Sequence, residues 1–176
     1  MLEIIAAPVE LDALIRAVRT DACGAVVTFA GVVRLTSPDD PRPVLRIRYE
    51  AYPALALTQM REIAAATRAT FGPLEIAIVH RIGELNLGET SIAVAVAAPH
   101  RGRAFDACEH VVDEIKARLA VWKQEVFADG ERRWRANAEA PDAGTNVPDA
   151  GTKVPHVGTK VPDVGTKVPD EAASSR

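Results

Sequence analysis

The sequence is poor in cysteine, in long apolar stretches and in any excess of one charge. Its two cysteines, Cys23 and Cys108, lie far apart, with neither a Cys-x-x-Cys pair nor a histidine at metal-ligand spacing. This pattern excludes a zinc site and a disulfide framework. We therefore expect no metal, and we expect each cysteine to be a small buried apolar residue.

The charge balance and the short apolar runs exclude two further classes of protein. The 176 residues include 21 lysines and arginines against 24 acidic residues, a net charge of −3, which argues against a nucleic-acid-binding domain. The longest apolar run, Ile92 to Pro99, is far shorter than the roughly 18 residues that a membrane-spanning helix needs. The opening segment MLEIIAAPVE lacks the basic start of a secretory signal. We expect a cytoplasmic protein with no nucleic-acid or membrane partner.

A seven-residue repeat fills the C-terminal part of the sequence. From Pro141 the units PDAGTNV, PDAGTKV, PHVGTKV and PDVGTKV follow one another, and PDE begins a fifth. Because each complete unit contains a proline, a glycine and few apolar side chains, neither a helix nor a coiled-coil seam can form. We predict that residues 1–140 form one domain and that residues 141–176 are a disordered tail.

Apolar periodicity predicts a mixture of strands and helices in residues 1–140. The segment LTSPDDPRP has the proline and aspartate content of a mobile loop, and Asp129-Gly130 is a hairpin turn between VWKQEVF and RRWRA. The predicted strands are Leu2–Ile5, Gly24–Arg34, Val44–Ala51, Leu74–Ile82 and Thr90–Ala98, the last two joined by GELNLGE; the predicted helices cover Val9–Arg19, Pro53–Thr70 and the segment from Pro99 to about Leu119.

The helix after Pro99 carries a candidate anion site at its start. Its N-terminal N–H groups and positive dipole end coincide with His100, Arg101 and Arg103, a combination that suits a phosphate. A solvated loop with ordinary surface arginines is the alternative. Farther along the helix, spacings of three and four residues predict one buried stripe, formed by Phe105, Cys108, Val112, Ile115 and Leu119.

Lysine is rare in the predicted domain. Residues 1–140 contain fifteen arginines but only two lysines, Lys116 and Lys123. A lysine amine, unlike a guanidinium, can lose its proton and act as an acid, a base or a nucleophile. The two lysines therefore indicate a catalytic site, although two exposed surface lysines remain the alternative.

Several separated motifs resemble one enzyme family, the catalytic (large) subunits of molybdopterin synthases. The motifs occur in family order and cover residues 2 to about 137, so only the repeat lies outside the resemblance. They are GAVVTFAGVVR (24–34), YEAYP (49–53), VHRIGEL (79–85) with Gly88-Glu89, PHRGRAFDA (99–107), and DEIKARLAVWKQE (113–125) followed by DGERRW.

The resemblance implies an α+β fold of the hammerhead type and a homodimer. Each copy would bind one ubiquitin-like small subunit, which gives a heterotetramer. It also implies a sulfurtransferase of molybdenum cofactor biosynthesis. The small subunit would carry a thiocarboxylate on its C-terminal Gly-Gly, and two sulfurs would pass to cyclic pyranopterin monophosphate to form the dithiolene of molybdopterin. The family needs no metal or organic cofactor.

The resemblance also implies a set of site residues. Lys116 and Lys123 match the catalytic lysines and also contact the substrate. The other substrate-binding positions are Val32, Val33, Arg34, His100, Arg101, Gln124 and Glu125. The proline that often precedes the family's Trp-Lys pair is replaced by Leu119-Ala120-Val121, which leaves the position of Lys123 less defined. His80 lies inside a predicted strand, and we interpret it as structural.

Two other function classes remain open from the sequence. The first is a self-contained sulfurtransferase with a persulfide on Cys108, although the position of Cys108 on the apolar stripe disfavours a reactive thiolate. The second is a noncatalytic module that binds a ubiquitin-like partner or a phosphorylated ligand. Two lysines beside a predicted anion site favour the enzyme.

Overall fold

A computed structural model describes residues 1–135, and the predicted disordered tail lies outside these residues. The described part contains three helices and eight strands. The helices are α1 (Leu11–Val18), α2 (Pro53–Phe71) and α3 (Arg101–Arg118), and the strands are β1 (Leu2–Ile5), β2 (Ala25–Val32), β3 (Val44–Ala51), β4 (Glu75–Arg81), β5 (Gly83–Asn86), β6 (Thr90–Ala98), β7 (Val121–Phe127) and β8 (Arg132–Arg135).

The strands form two four-stranded sheets. The first has the order β1-β4-β6-β2 and the second has the order β5-β3-β7-β8. All pairs are antiparallel except β1 with β4. This arrangement confirms the predicted α+β fold class. None of the helices in residues 1–135 is both long and apolar enough to cross a bilayer.

The first sheet is buried on both faces, because its central strands β4 and β6 have apolar residues at nearly every position. Successive side chains of a strand point to opposite faces of the sheet, and the larger ones, such as Ile78 and Val94, lie in a core shared with α2 and α3. The opposite face of these strands is built from small residues such as Ala77 and Ala95, against which Leu14 of the short helix α1 packs.

Helix α3 and its end bury three residues of the predicted stripe, Cys108, Ile115 and Leu119, but not Phe105. Its buried residues are Ala104, Ala107, Cys108, Val111 and Ile115. Phe105, which we expected in the stripe, is 61% exposed. The two alanines explain the difference, because small side chains let the helix approach the sheet and α2 closely, whereas the prediction followed only the larger apolar residues.

The second sheet contains a strand that the sequence did not predict. GELN, which we expected as part of a connection, forms β5 and pairs with β3 through contacts such as Leu85 opposite Ile47. Strand β2 ends at Val32, two residues earlier than predicted. The predicted hairpin is confirmed as β7 and β8, and the end of the third helix at Leu119 is confirmed.

Candidate functional site

A cavity of about 270 Å³ lies where the two sheets meet the C-terminal half of α3. Residues 33–43, which we call the cavity loop, connect β2 to β3 and close one side. The lining residues are Phe29, Gly31, Val32, His80, Ser91 and Ile92 from the first sheet; Arg34, Thr36 and Pro38 from the cavity loop; Val44, Ile47, Tyr49, Lys123 and Glu125 from the second sheet; and Val112, Ile115, Lys116 and Leu119 from α3 and its end.

The two predicted catalytic lysines both line this cavity. Lys116 lies in the last turn of α3, and Lys123 lies on β7, which begins three residues after the helix ends. The short connection between α3 and β7 is attached to α2 by a hydrogen bond, which the Ala120 N–H donates to the side-chain oxygen of Gln59 at 2.7 Å. Two consecutive elements therefore bring two ammonium groups to one cavity, where they can attract an anion.

The three predicted residues at the end of β2 have different positions. Val32 and Arg34 line the cavity, whereas Val33 is buried in the core of the second sheet. The Val33 N–H donates to the Glu89 carbonyl at 3.0 Å, and the Val33 carbonyl accepts from the Gly88 N–H at 2.8 Å. Val33 thus anchors the start of the cavity loop, and its two neighbours lie at the cavity.

Gly31 allows the strand end to pass close to β6. A Cβ atom at this position would lie only 2.7 Å from Cγ2 of Ile92. The pairing of β2 with β6 is also irregular between Gly31 and Val32, and irregularities of this kind redirect side chains. The glycine and the irregularity together explain why Val32 is 54% exposed at the cavity.

Strand alternation separates the two predicted residues that follow Lys123. Glu125 shares the face of Lys123 and lines the cavity. Gln124 lies on the opposite face of the sheet, where it pairs with Arg48 on β3 and Trp134 on β8. The structure therefore brings Glu125, but not Gln124, to the cavity.

The Glu125 carboxylate is buried and holds the cavity loop. It accepts hydrogen bonds from Ser37 Oγ at 3.0 and 3.2 Å and from Arg135 Nε at 3.0 Å. A further hydrogen bond runs from the Arg135 guanidinium to Ser37 Oγ at 3.1 Å. Glu125 thus joins the loop to the β7–β8 hairpin, and its oxygens already have protein partners.

A second cluster holds the other end of the cavity loop. Arg42 donates to Asp40 within the loop, and to Asp129 and Glu131 at the hairpin turn, while its guanidinium lies 4.3 Å from the centre of the Phe127 ring. Hydrogen bonds from Arg42 hold the pKa of the Asp40 carboxyl well below its usual value. We expected a mobile loop here, and the structure adds the contacts that attach it to the second sheet.

His100 and Arg101 lie at the opposite end of α3 from Lys116. Fifteen residues of helix separate Arg101 from Lys116, which corresponds to about 22 Å along the axis. In the described part of the chain, the side chain of the N-cap residue His100 makes no capping hydrogen bond to the first N–H groups of the helix. Within one copy of the described chain, the predicted anion site and the cavity are therefore two separate places.

His80 and Tyr49 are two of the lining residues that were absent from the predicted site. His80, at the end of β4, is 6% exposed, and its ring packs edge-on against Tyr49 with centroids 5.2 Å apart. Burial lowers the pKa of His80 to about 4. We interpreted His80 as structural from its position inside a predicted strand, because only the meeting of the two sheets brings it to Tyr49 and to the cavity.

The cysteines lie outside the cavity lining. Cys108 belongs to the core beneath α3, as predicted, and burial raises the pKa of its thiol to about 11. Cys23 is half-buried, and its sulfur accepts a hydrogen bond from the Thr20 hydroxyl at 3.3 Å.

Comparison with known proteins places these observations in a family context. A family model described as MoaE protein matches residues 4–118. The molybdopterin synthase catalytic subunit of Emericella nidulans is 43% identical over 127 residues, which cover 72% of this chain and 64% of that protein. The chain thus spans just under two thirds of the length of this relative.

Two solved structures are similar to the described fold. The crystal structure of molybdopterin synthase from Staphylococcus aureus has a TM-score of 0.72 and 29% sequence identity, and covers 76% of this chain and 95% of that one. The molybdopterin biosynthesis MoaE protein from Burkholderia ambifaria has a TM-score of 0.68 and 33% identity, and covers 81% of this chain and 92% of that one.

Proposed function

This chain belongs to the MoaE family, as its motifs predicted, and on that premise we propose that it is the catalytic subunit of a molybdopterin synthase. In the proposed reaction, a ubiquitin-like small subunit presents a C-terminal thiocarboxylate, and sulfur passes to cyclic pyranopterin monophosphate in the cytoplasm. Each thiocarboxylate carries one sulfur, which bonds to a pterin carbon as oxygen leaves that carbon as water; a second water then hydrolyses the bond between the sulfur and the small subunit's carbonyl carbon, which becomes a carboxylate. One dithiolene therefore consumes two small-subunit thiocarboxylates, and no metal or organic cofactor enters the reaction.

The observation that carries this proposal is the group of cations around one cavity. Lys116, Lys123 and Arg34 come from three different elements and line the same space. Both reactants are anionic, because one has a phosphate and the other a thiocarboxylate, so this cavity favours their approach. As sulfur replaces oxygen on the pterin, an ammonium group can stabilise the developing negative charge and deliver a proton to the departing oxygen.

The proposal includes the homodimer within a heterotetramer. His100 and Arg101 are candidates for binding the substrate phosphate, yet about 22 Å of helix separates Arg101 from Lys116 in one copy. A second copy can supply the pair to the cavity of the first. We therefore propose that each cavity is completed by His100 and Arg101 of the other copy.

The two alternative functions have weaker support. A persulfide mechanism needs a reactive thiolate, but Cys108 is buried and its pKa is raised to about 11. A noncatalytic module would explain an anion-binding cavity, yet it gives no reason for two lysines with transferable protons in that cavity.

The test is an anaerobic reconstitution. The full chain is incubated with thiocarboxylated small subunit and cyclic pyranopterin monophosphate, and the dithiolene product is measured. We expect product from the wild-type chain and none when the small subunit lacks its two terminal glycines. Binding of both reactants without product would support the noncatalytic module and contradict the proposal.

A further inference from the structure

The cavity contains a buried neutral acceptor that the proposed sulfur transfer does not use. His80 lines the cavity beside Tyr49, and the two rings meet edge to face at an interplanar angle of 67°. Tyr49 lies directly opposite Lys123 in the β3–β7 pairing. The His80–Tyr49 pair therefore forms an aromatic wall next to one of the cavity lysines.

The hydrogen bond of His80 defines which ring nitrogen carries the proton. Nδ1 lies 2.9 Å from the carbonyl oxygen of Arg81. A carbonyl oxygen can only accept, so Nδ1 must be the protonated nitrogen. Burial lowers the pKa of the ring to about 4, so the ring is neutral at pH 7. Nε2 therefore keeps its lone pair and is an acceptor.

The other charged groups of the cavity complement this acceptor. Arg34, Lys116 and Lys123 are cationic donors, while both oxygens of Glu125 already accept hydrogen bonds from the protein. Among the titratable side chains that line the cavity in residues 1–135, His80 is the one that is buried, neutral and able to accept. A flat heterocycle with N–H donors has the matching chemistry, because its ring can pack on the aromatic wall while its phosphate meets the cations.

We propose that Nε2 of His80 accepts a hydrogen bond from a ring N–H of the pterin, so that His80 and Tyr49 form the subsite that orients the heterocycle. This inference rests on the proposed function for the identity of the substrate. It makes His80 a substrate-positioning residue rather than a general base. The sulfur-transfer step itself remains with the lysines.

The direct test observes the two ring nitrogens. The full chain is labelled with ¹⁵N-histidine, and long-range ¹H–¹⁵N spectra are recorded with and without a phosphorylated tetrahydropterin; the spectrum of His80→Gln assigns the His80 signals. We expect an unprotonated Nε2 in the free protein and a clear shift of Nε2 when the pterin is added. Inorganic phosphate alone should leave this signal in place. A protonated Nε2, or an Nε2 signal that stays unchanged while the pterin binds, would overturn the inference.

Variants test the same contact through kinetics. His80→Gln keeps an acceptor, whereas His80→Leu has a similar volume and none. We expect the Leu variant to raise KM for the pterin about tenfold, the effect of one lost hydrogen bond in a cavity, with kcat changed less than about twofold. The Gln variant should stay within about threefold of the wild-type KM. His110→Leu, which removes a histidine that contacts Phe71 outside the cavity lining, is the matched control.

The two proposals fail in distinguishable ways. If the wild-type chain forms no dithiolene but pterin still shifts Nε2, the proposed function is wrong and the subsite stands. If the wild-type chain is active and folded His80→Leu has an unchanged KM, the subsite is wrong and the proposed function stands. If His80→Leu fails to fold, the spectrum of the wild-type protein decides.

Discussion

Ser37 and Glu125 are hydrogen bonded through both carboxylate oxygens, although 88 positions separate them in the sequence. The contact joins the cavity loop to β7, and Arg135 closes it by donating to both residues. The same strand carries Lys123, so this buried network holds the loop that bears Arg34 against the strand that bears a proposed catalytic lysine.

We expect Arg135→Ala to destabilise the fold more than a surface substitution does. The change leaves the Glu125 carboxylate buried without its cation, which costs about 3 kcal/mol, whereas Ser37→Ala removes one neutral donor and costs about 1 kcal/mol. Urea denaturation of both variants measures these losses. Arg132→Ala, on the exposed side of the same strand, is the control. Equal losses for Arg132→Ala and Arg135→Ala would contradict the role of the network.

The second attachment of the cavity loop predicts a pH dependence. Hydrogen bonds from Arg42 lower the pKa values of Asp40 and Glu131 below their unfolded values, and the Glu131 backbone N–H together with Arg42 lowers the pKa of Asp129. Carboxyls of this kind stabilise the folded state above their unfolded pKa, near 4, and lose this contribution as the pH falls towards their folded pKa. Arg42→Met should therefore lower Tm at pH 7.

The difference in Tm between Arg42→Met and the wild type should become smaller as the pH is reduced from about 5 to about 2.5. Differential scanning calorimetry across this range measures it. Arg46→Met, which removes an exposed arginine from β3, should show a small gap at every pH. A gap for Arg42→Met that stays constant down to pH 2.5 would show that packing on Phe127, rather than the ion pairs, accounts for the loss of stability.

The role of Lys116 can be separated into charge and proton transfer. Lys116→Ala should reduce dithiolene formation about a thousandfold, in the range for loss of a general acid. Tm should change little, because Lys116 is exposed on α3. Lys116→Arg should also be inactive, because a guanidinium keeps the charge without a transferable proton. Exposed Arg61→Ala on α2 is the control, and near wild-type turnover of Lys116→Arg would leave only an electrostatic role.

The sequence correctly predicted the features that depend on neighbouring residues. The turn at Asp129-Gly130 and the helix end near Leu119 are set by neighbouring residues, and together they placed Lys123 on a strand beside Lys116. Contacts between distant segments were missed. GELN has no strong strand pattern and becomes β5 only because β3 offers it an edge, and His80 reaches Tyr49 only where the two sheets meet.

The position of Cys108 predicts that the sulfur comes from outside the chain. Burial raises the pKa of its thiol to about 11, so little thiolate exists at pH 7. Cys108→Ala and Cys23→Ala should keep turnover, with a stability loss of about 1 kcal/mol for the buried cysteine. Iodoacetamide at pH 7 should leave Cys108 unmodified until urea is added. An obligatory persulfide on Cys108, detected by mass spectrometry during turnover, would support the rival mechanism.

The separation of Arg101 from Lys116 along α3 predicts complementation between inactive copies. Arg101→Ala and Lys116→Ala should each be inactive alone. If each cavity takes Arg101 from the other copy of the dimer, half of the dimers in an equal mixture are mixed, and each mixed dimer has one cavity with both residues intact. Activity should then recover to roughly a quarter of the wild-type value after the copies are exchanged.

If Arg101 acted on the cavity of its own copy, no cavity would have both residues and the mixture would stay inactive. A pairing of Lys116→Ala with Lys123→Ala is the matched control: both lysines line the cavity of one copy, so this mixture should recover no activity.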